Sequence, residues 1–225
     1  MKTDLFLSEG VKFKKNYKPD LLSWNEMANI INTRPLMNDK RVKLLGNTKK
    51  YKWVCTKWTK DPNCFPPSLI KKILDDMMIF FTDMSRATEK INDFAKQMED
   101  DYGKQTDAHI YVCRNIEMKH HFGIHYDYNH NIIVQCEGIT NFKVWDEVKD
   151  VIGSGGVLNN PIRNRLEMDA EPIIDVDMES GDAIWIPKHF PHLATSLTPR
   201  LSVSFPLSEY SDTNLIREDR TWITL

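Results

Sequence analysis

His125-Tyr126-Asp127 sets an imidazole and a carboxylate two residues apart, within Phe122-Gly123-Ile124-His125-Tyr126-Asp127-Tyr128. The glycine and the aromatics read as a strand entered from a turn. On a strand, side chains at i and i+2 share a face. His125 and Asp127 therefore project together, and Ile124, Tyr126 and Tyr128 face the other way. These are two arms of a metal site. A second histidine would complete a 2-His-1-carboxylate face, the arrangement that holds Fe(II) and leaves positions open. Alone, His-x-Asp is more often an ordinary half-exposed pair. A second stretch, Gly181-Asp182-Ala183-Ile184-Trp185-Ile186-Pro187-Lys188-His189-Phe190-Pro191-His192, raises the odds by offering further histidines. There a Gly-Asp turn leads into a short apolar strand, Pro187 ends it, and the loop returns the chain at His192, with His189 the runner-up as third ligand. His120 and His121 read as exposed loop residues, and His130 as a hydrogen-bonding neighbour of the site.

The elements that must position these residues change character along the chain. Asp20 to Asn32 reads as a helix with Leu21, Leu22, Met27, Ile30 and Ile31 on its apolar side. Arg41 to Leu45 and Tyr51 to Trp58 read as strands. Pro66-Pro67 opens a helix whose apolar positions run from Leu69 through Ile73, Met77 and Phe80 to Met84. Another helix follows from about Ser85, with Ile91, Phe94, Ala95, Met98 and Tyr102 on one face and Gly103 as its stop. From about residue 107 the period falls to two. Strands are predicted near 108–114, 122–128, 131–137, 140–146, 172–178, 182–186, 192–197 and 200–206, a pattern that fits a jelly roll. The fold class expected is mainly β with N-terminal helices (α+β), organised around a double-stranded β-helix. The expected division is 1–104 as a mixed helix and strand region packing on the barrel, 105–210 as the metal-binding jelly roll, and 211–225 as a C-terminal extension. All seven histidines lie between 109 and 192, inside the strand-rich unit.

Alternation sorts the faces. Tyr111 and Cys113 oppose Ile110 and Val112; Asn131, Ile133 and Gln135 oppose Ile132, Val134 and Cys136; Arg200, Ser202 and Ser204 oppose Leu201, Val203 and Phe205. Either the polar sets line a common pocket beneath a helix-covered sheet, or they form a face exposed to water. The two ligand candidates favour the pocket. The connection 147–171 carries Gly153-Ser154-Gly155-Gly156, Arg163 and Arg165. It is not a phosphate loop, because no Gly-Lys-Ser/Thr follows the glycines, and its length suits a substrate-facing loop.

The chain has 225 residues, 41% of them apolar, enough for a sizeable core. Four cysteines (55, 64, 113 and 136) make no Cys-x-x-Cys pair and read as reduced thiols of a cytoplasmic protein. Met77 to Phe81, the longest purely apolar run, is too short to span a bilayer. The net charge of −2 is unevenly spread: residues 1–60 carry a balance of +9 and the remainder −11. Basic residues interleaved with Phe13, Tyr17, Trp24, Tyr51, Trp53 and Trp58 are the footprint of a polyanion contact. The plainer reading is a solvated face against an acidic remainder.

His125-x-Asp127, followed by Asn131, Gln135 and Gly138, and then by Gly181-Asp182, Pro187 and His192, resembles the JmjC-like, cupin-fold Fe(II)/2-oxoglutarate-dependent oxygenases. The asparaginyl-hydroxylase and ribosomal-oxygenase branches are the nearest in pattern. The resemblance covers about residues 108–207. It implies a dioxygenase acting as a hydroxylase, with His125, Asp127 and His192 on the iron. Its cosubstrates are 2-oxoglutarate and molecular oxygen, its products succinate and carbon dioxide. The expected prime substrate is a protein side chain ahead of a small molecule. The open alternative is a non-catalytic or differently metallated cupin or JmjC-like binding module. Relatives often hold the far carboxylate of 2-oxoglutarate with a basic residue two positions after the glycine. Here that position is Thr140, so the chain departs from the pattern. Lys143 is near but of opposite parity. Arg200, in an Arg-x-Ser with Ser202, has the better claim, with Asn131 and Tyr111 completing the pocket.

Overall fold

The computed structural model describes residues 10–33, 42–45, 67–114, 123–147 and 170–208. Helix α1 (Trp24–Thr33) starts at a reciprocal cap: the Glu26 N–H donates to Ser23 Oγ, and the Ser23 N–H donates to Glu26 Oε2. Helix α2 (Pro67–Leu74) is followed by α3 (Glu89–Tyr102). The Ile91 N–H donates to Thr88 Oγ1 at the start of α3, and Gly103 closes it in the left-handed conformation, φ 63°.

Among the described residues eleven strands form two sheets. They are β1 (Lys12–Lys14), β2 (Val42–Leu45), β3 (Met78–Phe81), β4 (Gln105–Thr106), β5 (His109–Cys113), β6 (His130–Glu137), β7 (Thr140–Val144), β8 (Ile174–Met178), β9 (Ala183–Ile186), β10 (His192–Ser196) and β11 (Arg200–Ser208). The larger sheet runs β1-β9-β6-β11-β5-β3-β2, with β4 also on β11; the smaller runs β10-β7-β8. All pairings are antiparallel.

Alternation divides the interior into two layers. Ile110, Val112, Ile132, Val134, Val203 and Phe205 point outward and pack with Met27, Ile30, Ile73, Ile91, Phe94 and Met98 of the helices. Ile133, Ile184 and Ile186 point inward and meet Phe142, Val144, Met178 and Phe190. The helices thus seal one face of the larger sheet, and the other face closes on the smaller sheet. Asn131, Gln135, Arg200, Ser202 and Ser204 consequently lie buried between the sheets, which excludes the alternative of a water-facing polar side.

Three expectations are corrected. The helix expected to run on to Met84 stops at Leu74, and Met78–Phe81 is a strand between β2 and β5. A continuous apolar run has no period to separate a buried strand from a buried helix, and hydrogen-bonding partners on both sides decided it. The strand expected over 122–128 shrinks to a single bridge between His125 and His192. The helix from Ser85 begins at Glu89 instead. The strand expected at 51–58, His120, His121, most of the loop 147–171 and the whole extension 211–225 lie outside the described residues.

Gly138 marks the passage from β6 to β7. Its φ is +79°, and a Cβ there would fall 1.8 Å from the Pro199 carbonyl oxygen, just before Arg200. Gly138→Ala is expected to cost more than about 2 kcal/mol, from left-handed strain plus a backbone collision. A lowered midpoint in thermal unfolding, followed by circular dichroism, checks this.

Candidate metal centre

A single bridge builds the centre. The His125 N–H donates to the His192 carbonyl at 3.1 Å, and the His192 N–H returns to the His125 carbonyl at 2.7 Å. Directly paired residues put their side chains on the same side of the ladder, so the two imidazoles lie 4.3 Å apart, centroid to centroid. Each ring is oriented by its own backbone: His125 Nδ1 bonds the Gly123 carbonyl and His192 Nδ1 the Phe190 carbonyl, both at 3.0 Å. A carbonyl only accepts, so both Nδ1 atoms carry a proton, and Nε2 is the atom each ring has left for a metal. Behind the site, Ile124 and Tyr126 point the other way and pack on Trp145, as alternation predicts even without a full strand.

Asp127 is tied down from two directions. Its carbonyl accepts the His189 N–H at 2.8 Å, and its Oδ2 accepts from Asn131 Nδ2 at 3.1 Å. Ser204 Oγ donates to Asn131 Oδ1 at 2.7 Å, which fixes the amide with its NH2 toward the carboxylate. Asp127 Oδ2 lies 3.8 Å from His192 Nε2. One ligand atom from each of His125, Asp127 and His192 falls within 4.8 Å of the others. Burial, with His192 beside it, pushes the His125 imidazole down to about 4, which keeps it neutral and able to ligate near pH 7. Two imidazole nitrogens and a carboxylate oxygen suit a divalent first-row ion.

His189 is not part of this set. It takes a left-handed φ of 68° and turns its ring toward Tyr126 and Tyr128. Outer-sphere partners of a ligand typically carry ten- to a hundredfold in metal affinity. Asn131→Ala is therefore expected to weaken Co(II) binding at least about tenfold, read by competition with a chromophoric chelator.

Deeper in the barrel lies a second group of polar atoms. Arg200 is buried, its Cζ 5.3 Å from the ring centre of Tyr111 and 5.5 Å from that of Phe142. No ion pair is found for it among the described residues, and burial draws its guanidinium down to about 10, still charged at neutral pH. The hydroxyls of Thr140 and Ser196, paired residues on β7 and β10, are buried with no hydrogen-bond partner among the described residues. A buried cation without an anion and two orphaned hydroxyls are costly unless a ligand completes them, and a carboxylate does so. Burial, with the Asp127 carboxylate, raises the Tyr111 phenol, so it stays protonated there.

Lys143 points outward as its parity implies and drops out as a carboxylate partner, while the roles expected of Ser202 and Asn131 change. Lys143 lies on the outer face of the smaller sheet, bonded to Asp175 at 3.2 Å, and is excluded from the pocket by parity. The Ser202 hydroxyl accepts from Arg200 Nε at 2.6 Å and donates to Gln135 Oε1 at 2.8 Å, so its proton serves the arginine's support. Asn131 is committed to Asp127 and not to the carboxylate pocket. In the sequence Thr140 is set aside and Ser196 has no named role. Thr140 carries no charge, and only the sheet pairing reveals that both hydroxyls lack partners.

The JmjC domain family matches residues 81–215. No curated protein matches the chain in sequence. An X-ray structure of E. coli ycfD superposes with a TM-score of 0.63 at 17% identity, over 91% of this chain and 51% of that one. YcfD, a ribosomal oxygenase from Escherichia coli in complex with cobalt and 2-oxoglutarate, gives 0.56 at 15%, over 90% and 49%. The complex with cobalt and succinic acid gives 0.56 at 15%, over the same shares. At these identities the likeness is one of fold, and the chain spans about half the length of those proteins. With a matched segment of more than half its residues and a jelly roll around the bridge that joins His125 to His192, this protein belongs to the JmjC domain family.

Proposed function

We propose that the protein is an Fe(II)- and 2-oxoglutarate-dependent oxygenase that hydroxylates its substrate. One observation carries the reading. The barrel that gathers His125, Asp127 and His192 also buries Arg200, Thr140 and Ser196 with polar capacity that no described residue fills. A metal face alone fits many cupins, but a metal face with an interior cation fits a cosubstrate that has a chelating end and a carboxylate end.

When bound, Fe(II) would let molecular oxygen be spent on 2-oxoglutarate and the substrate together, one oxygen atom going into succinate as carbon dioxide leaves and the other into an unactivated C–H bond of the substrate. The chain's own residues do the rest. His125, Asp127 and His192 would hold the ion by three protein ligands, which leaves coordination positions for cosubstrate and oxygen. Arg200 takes the far carboxylate, with Thr140 and Ser196 as neutral donors. Phe142, Ile133 and Ile184 wall the interior against water. The half-exposed Asp127 marks the side open to solvent. A protein side chain stands first as substrate, because solved structures of the same fold are described as ribosomal oxygenases. A cytosolic location accords with the reduced thiols inferred for the four cysteines, and among the described residues no helix is long and apolar enough to cross a membrane. No polyanion contact is proposed: in the described part of the basic region, Lys14 and Lys18 lie over the rings of Tyr17 and Phe94.

The test is metal analysis together with succinate release from 2-oxoglutarate. Iron and succinate are expected. Protein that binds no divalent ion and turns over no 2-oxoglutarate is instead a binding module.

A further inference from the structure

Between Arg200 and the wall of the larger sheet runs a chain of hydrogen bonds whose direction is fixed at both ends. Gln135 Nε2 donates to the Glu137 carbonyl at 2.8 Å, and a carbonyl only accepts. The Gln135 amide oxygen must therefore face Ser202, whose hydroxyl donates to it at 2.8 Å. That leaves the Ser202 oxygen to accept from Arg200 Nε, at 2.6 Å, and a guanidinium only donates. Gln135 and Ser202 are wholly buried, so water does not compete for these bonds.

The backbone beneath is held as firmly. The Gln135 N–H donates to the Asp182 carbonyl at 2.9 Å, and its carbonyl accepts from the Gly181 N–H at 2.8 Å. At this point the β6–β11 ladder is bulged: Ser202 faces Gln135 and Leu201 faces Glu137, with Cys136 the extra residue. Bulges of this kind re-aim side chains beside functional sites. One edge of the guanidinium is thus tied to the sheet, and its two terminal nitrogens remain for the interior.

We propose that Gln135 is a positioning residue of the carboxylate site, acting through Ser202 to fix the guanidinium of Arg200 and so to select cosubstrates with a second carboxylate. The proposal rests on the oxygenase reading. The Gln135 side chain bonds to Ser202 and to the Glu137 carbonyl, not to His125, Asp127 or His192. Its effect appears only in compounds that reach Arg200.

Calorimetry on Mn(II)-loaded protein without oxygen tests this, comparing 2-oxoglutarate with 2-oxopentanoate, which keeps the chelating end and carries a methyl group in place of the far carboxylate. Gln135→Leu and Ser202→Ala are each expected to weaken 2-oxoglutarate about tenfold, or about 1.4 kcal/mol. Affinity for 2-oxopentanoate and for Mn(II) should stay unchanged. In an Arg200→Ala background, Gln135→Leu should have no further effect, because the two residues form one unit. Ser202→Ala removes only a hydroxyl, so it decides the matter should Gln135→Leu fail to fold. Variants that bind 2-oxoglutarate like the wild type, or that weaken both ligands equally, overturn the positioning role while leaving the oxygenase reading in place. Wild-type protein that binds 2-oxoglutarate no better than 2-oxopentanoate overturns both.

Discussion

Asp127→Ala is expected to fold normally, to bind Fe(II) at least about a hundredfold more weakly, and to release no succinate above background. The magnitude lies beyond what outer-sphere partners usually carry, because a ligand is lost outright. Folding should survive for a structural reason. The tie between Asp127 and the 187–191 loop runs through its backbone carbonyl to the His189 N–H, and alanine keeps it. The carboxylate itself is half-exposed, so its removal opens no core cavity. His125→Ala should match it in turnover, since the bridge to His192 is also made of backbone atoms. Melting curves, Co(II) titration and succinate release separate the outcomes. Substantial turnover in Asp127→Ala would sink the assignment of this triad as the metal centre.

Arg200→Ala is expected to raise the 2-oxoglutarate KM on the order of a hundredfold or more, because removing one partner of a buried charged hydrogen-bonded pair costs about 2–5 kcal/mol. Metal affinity should hardly move, since Arg200 bonds to Ser202 and lies against Tyr111 and Phe142, none of which is a ligand. The ligand-free protein should melt close to the wild type. Losing the contacts with Tyr111 and Phe142 destabilises it, and losing a buried cation without a counter-ion offsets that. The telling difference is the ligand's own stabilisation. Saturating 2-oxoglutarate should raise the wild-type melting temperature, and this shift should vanish in Arg200→Ala. Lys143→Ala should leave both readouts unchanged, as its ammonium pairs with Asp175 outside the barrel. The reverse result, with Lys143 sensitive and Arg200 silent, would mean that the far carboxylate is held from another direction.

What the sequence determined by itself was local. The period-two pattern from β5 onward placed seven strands within a residue or two of their observed ends. The parity of β6 and β11 sorted Asn131, Gln135, Arg200, Ser202 and Ser204 to one side before any partner was known. The spacing of His125 and Asp127 put both on the same side of a nearly extended segment, although only one bridge of the expected strand forms. Thr88 and Gly103 act as the ends of α3, and Gly103 does so where expected. These features depend on neighbours in sequence, and residue types record them.

The tertiary structure decided everything that needed a distant partner. Met78–Phe81 became a strand because β2 and β5 lie on either side of it, and an unbroken apolar run carries no sign of that. Ser202 reads as a carboxylate donor in the sequence, but its hydroxyl donates to Gln135 Oε1, 67 residues away. Thr140 looked inert until its pairing with Ser196 showed two buried hydroxyls without partners. A hydrogen-bonding group announces in the sequence only that it needs a partner. Which partner it takes, and whether one is left for a ligand, is fixed when the two sheets close and water is excluded from between them.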